Sequence, residues 1–151
     1  MGKWARLLQP EFVLLNLQAK GKFDAIRAIS KVFENDPAVG PFKNFLASLI
    51  RREKNTSTAI GKGVALPHVH DDSIMRPRLA IGIFPDGVDF AAPDGELVHI
   101  IGVLATPLKH QKQHLSLLAA FSRLVQTEAV RQQLVEANSS EEVVAVFTGG
   151  R

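Results

Sequence analysis

Two histidines, His68 and His114, carry the side chains best suited to chemistry in this sequence. A neutral imidazole, with an ordinary pKa near ~6.5, is nucleophilic at cellular pH and can carry a phosphoryl group. Pro67 stiffens the backbone just before His68, and this rigid approach predicts a ring held at a sheet edge. His114 begins the apolar stripe of a predicted helix, where a polar group needs a partner. Taken alone, each is as well explained as a loop histidine or a core-edge histidine without a role.

Arg52, Ser57 and Thr58 form a second candidate group upstream of His68. Arginine binds phosphate in a bidentate way, and hydroxyl groups donate hydrogen bonds to phosphate oxygens or to an imidazole. The plainer interpretation is a solvated helix end followed by a loop. The Gly61-x-Gly63 spacing would let backbone N–H groups approach an anion, but this signal is very weak.

A metal site is the competing interpretation of the histidines. His68-Val69-His70 could supply two ligands and His114 a third, as in a metal-dependent hydrolase. No His-Glu-x-x-His spacing or comparable pattern supports it, so we predict no metal. We expect no catalytic role for His99 or His110.

The elements that position these residues follow from hydrophobic periodicity. We predict a strand over 12–17, a helix from Asp24 to about residue 33, and a helix from Phe42 to about Arg52. Residues 56–72 are rich in Thr, Ser, Gly and His and show little helical periodicity, so we predict no helix there. Two Pro-Asp-Gly turns, at 85–87 and 93–95, should separate three strands over 79–84, 88–90 and 98–105. Three helices should follow, the last capped by Ser139 with Glu142. This order predicts an α/β domain with a mixed β-sheet flanked by helices on both faces.

Composition restricts the function classes. The chain has 151 residues, 46% hydrophobic and 22% charged, which predicts a single domain over 1–151 with a substantial core. It has no cysteine, so disulfides and thiolate chemistry are excluded. The net charge of +3 comes from dispersed residues, so we expect no nucleic-acid partner. No apolar run approaches the ~20 residues of a membrane span, and we expect a soluble, cytoplasmic protein without membrane insertion.

Four segments together are similar to one known family. They are Arg52-Glu53 ahead of Ser57-Thr58, the run Ile60-Gly61-Lys62-Gly63-Val64-Ala65-Leu66-Pro67-His68, Leu104-Ala105-Thr106-Pro107, and His114-Leu115-x-x-Leu118. In order and separation they resemble the type-2 EIIA domain of the bacterial phosphoenolpyruvate-dependent phosphotransferase system, the fructose, mannitol and nitrogen-regulatory branch. The resemblance spans nearly the whole chain.

The resemblance implies a phosphocarrier. The histidine matching His68 would accept a phosphoryl group from the phosphocarrier protein HPr or its nitrogen-branch counterpart, and would pass it to an EIIB domain or hold it as a regulatory signal. His114 would support the phosphoryl group, Arg52 would balance charge, and Ser57 or Thr58 would orient the ring or bind phosphate. No metal or organic cofactor is implied.

The alternative is a regulatory binding module of the same fold that acts through contacts with target proteins. The sequence departs from the family pattern directly after the active histidine, where Val69 and then His70 follow instead of Gly. The absence of attached EIIB or EIIC segments favours a free-standing protein like the nitrogen-regulatory branch, although free-standing sugar-specific EIIA proteins also occur.

Overall fold

The computed structural model describes residues 2–149, which form five α-helices and one six-stranded sheet. The helices are α1 (Lys22–Ser30), α2 (Phe42–Asn55), α3 (Gln111–Gln126), α4 (Glu128–Val135) and α5 (Ser140–Thr148). The strands are β1 (Val13–Leu14), β2 (Ala59–Gly61), β3 (Val64–Ala65), β4 (His68–Asp71), β5 (Arg78–Val88) and β6 (Val98–Pro107). Short 3-10 turns occupy Pro10–Phe12, Lys31–Phe33 and Pro37–Val39.

The sheet is mixed, as predicted, and β6 lies at its centre. The strand order is β1-β5-β6-β3-β2, and β4 also pairs with β6. The β5–β6 pair is antiparallel, whereas β1 runs parallel to β5, and β3 and β4 both run parallel to β6. All but one residue of β6 are buried, which explains why this strand is apolar on both faces.

Helices cover both faces of the sheet, and two glycines show it. Gly82 on β5 and Gly102 on β6 lie on opposite faces, because Gly82 pairs with Ile101 and strand side chains alternate. A Cβ at Gly82 would meet Ile29 of α1, whereas a Cβ at Gly102 would meet Phe121 of α3. The predicted fold class is therefore confirmed.

The first Pro-Asp-Gly segment does not separate two strands, so that prediction was wrong. Residues 84–87 bulge out of β5 between the pairs Ile83–Ile100 and Val88–Val98, and the strand then resumes. Gly87 has a φ of +82° within this bulge, a conformation that favours glycine. The second segment does turn the chain, with Gly95 N–H donating to the Ala92 carbonyl at 2.9 Å.

Residues 56–72, for which no helix was predicted, contain the three short strands β2, β3 and β4. β2 and β3 form a tight hairpin through Gly61, Lys62 and Gly63, all with positive φ. β3 and β4 then pair with the buried β6. Strands of two to four residues are too short to show a period of their own.

The helices agree with the prediction in place and differ at their ends. α2 continues to Asn55, three residues past its predicted end. At α5, the Ser139 side chain accepts the Glu142 N–H as predicted, but the Glu142 carboxylate accepts the N–H of Asn138 instead of Ser139. No helix within residues 2–149 is long and apolar enough to cross a membrane.

Candidate functional site

His68 is the first residue of β4, opposite Leu104 of β6. The Pro67 carbonyl accepts the Leu104 N–H at 3.0 Å, which holds the strand entry against the sheet centre. The Nδ1 atom of His68 lies 2.8 Å from the Leu66 carbonyl oxygen. Because a carbonyl only accepts hydrogen bonds, Nδ1 must carry the proton, and the lone pair is left on Nε2.

The surroundings of His68 favour its neutral form. Loss of water around the half-buried ring lowers the pKa of His68 below its ordinary value of 6.5, and the hydrogen bond to Leu66 only partly opposes this effect. The positive charge of Arg52 lowers the pKa further, Glu53 raises it, and His70 lowers it. The ring is therefore neutral at pH 7 and its Nε2 atom is a nucleophile.

His114 lies on α3, as the helical spacing predicts, and its ring lies beside that of His68. Its ring centroid is 5.5 Å from that of His68, with an interplanar angle of 52°. The side chain is 7% exposed, and its Nδ1 atom lies 2.7 Å from the Thr106 hydroxyl. Burial, and secondarily the nearby His70 and His68, lower the pKa of His114 to about 4, so this ring is also neutral at pH 7.

Two residues without a predicted role, His70 and Thr106, complete the histidine cluster. The His70 ring stacks on that of His114 at 4.1 Å between centroids, with planes 8° apart. Thr106 is fully buried, and its hydroxyl lies 3.0 Å from His70 Nδ1 as well as 2.7 Å from His114 Nδ1. Residues two apart on a strand share a face, which is why His68 and His70 of β4 lie on the same side. Nothing in the sequence near Thr106 indicated that its hydroxyl would contact His70 and His114.

Arg52 lies in the last turn of α2, at the margin of the cluster. Its guanidinium donates to the Thr56 carbonyl at 2.9 Å, and its side chain is half-buried. It is close enough to His68 to lower the pKa of that ring. The cation therefore sits where it can attract an anion bound to His68.

Ser57 and Thr58 use their hydroxyl groups to hold the chain that leads to His68. Ser57 donates to the Phe90 carbonyl at 3.0 Å, and Thr58 donates to the Glu53 carboxylate at 2.5 Å. The Thr58 carbonyl accepts the Leu66 N–H at 3.1 Å. Both residues thus lie next to the site, with their hydroxyl protons directed away from His68.

Glu53 is a buried carboxylate for which no functional role was predicted, although it stands beside Arg52 in the sequence. It is 1% exposed and accepts hydrogen bonds from the Thr58 N–H, the Thr58 hydroxyl and Lys22. An acidic residue in the last turn of a helix opposes the helix dipole. That local conflict was the available signal of a tertiary role.

The metal interpretation finds no support in the part of the chain that the structure describes. No group of three His, Cys, Asp or Glu side chains there is placed to hold a metal ion. The rings of His70 and His114 are stacked in parallel, so their lone pairs do not converge on one point. The Lys62 N–H, between the two glycines, donates to the Asp94 carboxylate at 2.9 Å, so the Gly61-x-Gly63 turn uses this donor within the protein and does not offer it to a phosphate.

The arrangement combines a neutral nucleophilic nitrogen on His68, a second neutral imidazole beside it, and a nearby guanidinium. Transfer of a phosphoryl group requires mainly positioning and stabilisation of negative charge. These three groups can supply both.

Comparison with known proteins identifies the family of this chain. The family model described as phosphoenolpyruvate-dependent sugar phosphotransferase system, EIIA 2, matches residues 6–149. The fructose-specific EIIABC component of Bacillus subtilis (strain 168) is 30% identical over 145 residues, which are 96% of this chain and 23% of that protein. The chain therefore spans about a quarter of the length of that relative.

Solved structures share the fold. The nitrogen regulatory protein IIA-Ntr of Neisseria meningitidis superposes with a TM-score of 0.88 and 26% identity, covering 94% of this chain and 97% of that one. The mannitol enzyme IIA of Escherichia coli, solved in complex with phosphorylated enzyme IIB, gives a TM-score of 0.82 at 22% identity, covering 94% of this chain and 97% of that one, and supports the fold alone. With its fold, its histidine pair and a family match over almost its whole length, the chain belongs to the type-2 EIIA family of the phosphoenolpyruvate-dependent sugar phosphotransferase system.

Proposed function

We propose that this protein is a phosphocarrier that accepts a phosphoryl group on Nε2 of His68 from a phosphorylated HPr-like protein or its nitrogen-branch counterpart. The N–P bond of the donor breaks as the Nε2–P bond forms. The hydrogen bond from His68 Nδ1 to the Leu66 carbonyl, at 2.8 Å, carries the proposal, because it leaves Nε2 as the nitrogen with a free lone pair.

The same hydrogen bond prepares the ring for onward transfer. Attack by neutral imidazole leaves both ring nitrogens substituted, so the phosphorylated ring carries a formal positive charge until Nδ1 loses its proton. The Leu66 carbonyl favours retention of that proton. A cationic ring is the better leaving group when the N–P bond breaks again.

Arg52 and His114 support the transferred group. The Arg52 guanidinium stabilises the negative charge on the phosphoryl oxygens, and charge-assisted hydrogen bonds of this kind are about twice as strong as neutral ones. His114 donates a hydrogen bond from its remaining nitrogen. Ser57 and Thr58 act indirectly in this proposal, by fixing the segment that carries His68.

We infer two outcomes for the phosphorylated protein, onward transfer to an EIIB domain or service as a signal read by regulatory target proteins. Both fit a family that includes a fructose-specific component and a nitrogen regulatory protein. We propose that residues 1–151 act as one EIIA domain in the cytoplasm. In support, Trp4 packs against Phe147 near the other terminus, with ring centroids 5.6 Å apart.

The test is incubation with phosphorylated HPr, followed by intact-mass analysis and ³¹P NMR. We expect an acid-labile adduct on wild-type protein and His110→Gln, the control that removes an exposed histidine, and none on His68→Ala. The phosphorus resonance should report attachment at Nε2. The same incubation is repeated with the phosphorylated nitrogen-branch counterpart of HPr. Absence of an adduct with both of these donors, an adduct that persists in His68→Ala, or attachment at Nδ1 would overturn the proposal.

A second assay separates the carrier from the regulatory module. Purified phosphoprotein is mixed with an EIIB domain of the fructose or mannitol type, and the label on each protein is followed. Movement of label to EIIB supports the carrier. Stable retention with every EIIB tested supports the regulatory alternative.

A further inference from the structure

We propose that His70 and Thr106 are positioning residues that hold His114 in the tautomer with its proton on Nε2, ready to donate to a phosphoryl group on His68. The inference deepens the function proposed above and rests on it for its catalytic meaning. The tautomers themselves exist without any phosphate, so they can be tested separately.

Three side chains form one continuous hydrogen-bonded chain. His70 Nδ1 lies 3.0 Å from the Thr106 hydroxyl oxygen, and that oxygen lies 2.7 Å from His114 Nδ1. A threonine hydroxyl has one proton, so it donates to one ring and accepts from the other. Two directions are available, and each gives the two histidines opposite tautomers.

The burial of His70 Nε2 decides between the two directions. Among residues 2–149, only this nitrogen and Ser30 Oγ are buried side-chain polar atoms without a hydrogen-bond partner. If His114 Nδ1–H donated to the Thr106 hydroxyl and that hydroxyl donated to His70 Nδ1, then the proton of His70 would be on Nε2, a buried N–H with no acceptor. Buried orphan donors are rarer in proteins than buried orphan acceptors. The geometry thus favours a chain from His70 Nδ1–H through Thr106 O–H to His114 Nδ1.

In that direction the remaining proton of His114 is on Nε2. This atom is not among the buried atoms without a partner, although the residue as a whole is only 7% exposed. The His114 ring lies 5.5 Å from that of His68, so an anion on His68 Nε2 is within reach of a donor on this ring. The opposite tautomer would present a lone pair to the anion and repel it.

The fold also fixes the His114 ring in place. His70 and Thr106 are register partners on β4 and β6, so their separation is set by the sheet. The parallel stack of His70 on His114, 4.1 Å apart, restricts rotation of the His114 ring.

Imidazole ¹⁵N NMR on unphosphorylated protein tests the proposal directly. We expect His70 as the Nδ1–H tautomer and His114 as the Nε2–H tautomer, with His114 Nδ1 shifted as a hydrogen-bonded acceptor. Thr106→Val, which removes only the hydroxyl in a similar volume, should abolish that acceptor shift and release His70 from the Nδ1–H form. Thr106→Ser should retain both signatures.

Several results would overturn the inference. They are a His114 ring protonated on Nδ1, the same tautomer on both rings, or a pattern in folded Thr106→Val that matches wild type. A ¹⁵N-HSQC spectrum confirms that each variant is folded, and if Thr106→Val does not fold, His70→Phe replaces it, because phenylalanine keeps the stacked ring and removes the donor. In His70→Phe the Thr106 hydroxyl can either donate to His114 Nδ1 or accept from it, so we expect both His114 tautomers to be populated and the acceptor shift at Nδ1 to be reduced; an unchanged His114 pattern would overturn the inference.

The transfer assay supplies the functional readout. We expect about tenfold slower phosphorylation by phospho-HPr in Thr106→Val, which corresponds to about 1.4 kcal/mol, with wild-type rates in Thr106→Ser and in the control His110→Gln. A wild-type rate in Thr106→Val would refute the catalytic role of the chain. If wild-type protein accepts no phosphate at all, the proposed function fails while the tautomer prediction is still decided by NMR.

Discussion

The buried carboxylate of Glu53 should be the polar group on which the fold of the site depends most. Its two oxygens accept the Thr58 hydroxyl at 2.5 Å, the Thr58 N–H at 3.0 Å and Lys22 Nζ at 3.3 Å. Glu53→Ala would leave both Thr58 groups buried without an acceptor. In Glu53→Gln the amide oxygen can still accept the Thr58 N–H and Lys22 Nζ, and the amide nitrogen can donate to the Thr58 hydroxyl oxygen, so only the hydroxyl proton loses its acceptor.

The expected decreases in the free energy of unfolding follow from those contacts. A buried donor left without a partner costs about 1–3 kcal/mol, so two donors and the lost ion pair predict a destabilisation of roughly 3–5 kcal/mol for Glu53→Ala. Lys22 is partly exposed and regains water, which keeps the loss toward the lower end. For Glu53→Gln, which loses the charge and the acceptor of one hydroxyl proton, we expect about 1–2 kcal/mol.

Urea unfolding followed by the fluorescence of Trp4, the single tryptophan of the chain, measures these losses. Trp4 is 5% exposed, so its emission changes when the core opens. Glu34→Gln removes an exposed carboxylate and is the matched control, with an expected effect within about 0.5 kcal/mol. The reasoning is refuted if Glu53→Ala also stays within that range, or if Glu53→Gln is as destabilised as Glu53→Ala.

Two further predictions concern acid sensitivity and packing. The pKa of His114 is about 4 in the folded protein against an ordinary 6.5, so the unfolded chain binds the proton first as pH falls. Its contribution to stability is complete above about pH 6.5 and is lost by about pH 4, a change of roughly 3 kcal/mol, to be measured as the difference between wild-type and His114→Gln urea midpoints across that range. Gly102→Ala would place a Cβ 2.8 Å from the Phe121 ring, and we expect a loss of about 1–3 kcal/mol in thermal or urea unfolding.

Each of these predictions has a clear failure. Parallel pH curves for wild type and His114→Gln would show that the histidine takes up its proton equally in both states. For packing, Gly2→Ala adds a methyl group with no atom within 4 Å and should change stability by less than about 0.5 kcal/mol. If Gly102→Ala behaves like Gly2→Ala, the close approach of α3 to β6 does not constrain that position.

Local sequence signals predicted the elements that have enough length to show a period. The apolar stripes of α2 and α3 and the buried runs of β5 and β6 were identified, as was the cap of α5 at Ser139. The Pro-Asp-Gly segment at 85–87 was misassigned because a bulge and a hairpin turn use the same residues. β2, β3 and β4 were missed because hydrogen bonds to β6, which is distant in sequence, create them.

The sequence by itself determined the mixed α/β fold class through the order of its periodic segments, and its resemblance to a known family implied that His68 and His114 act together. Only the tertiary structure decided which atom of His68 is nucleophilic, because the Leu66 carbonyl selects the tautomer. It likewise brought Thr106 between two imidazoles. Such choices depend on distances of about 3 Å between atoms from different strands and helices, and residue order alone does not specify those distances.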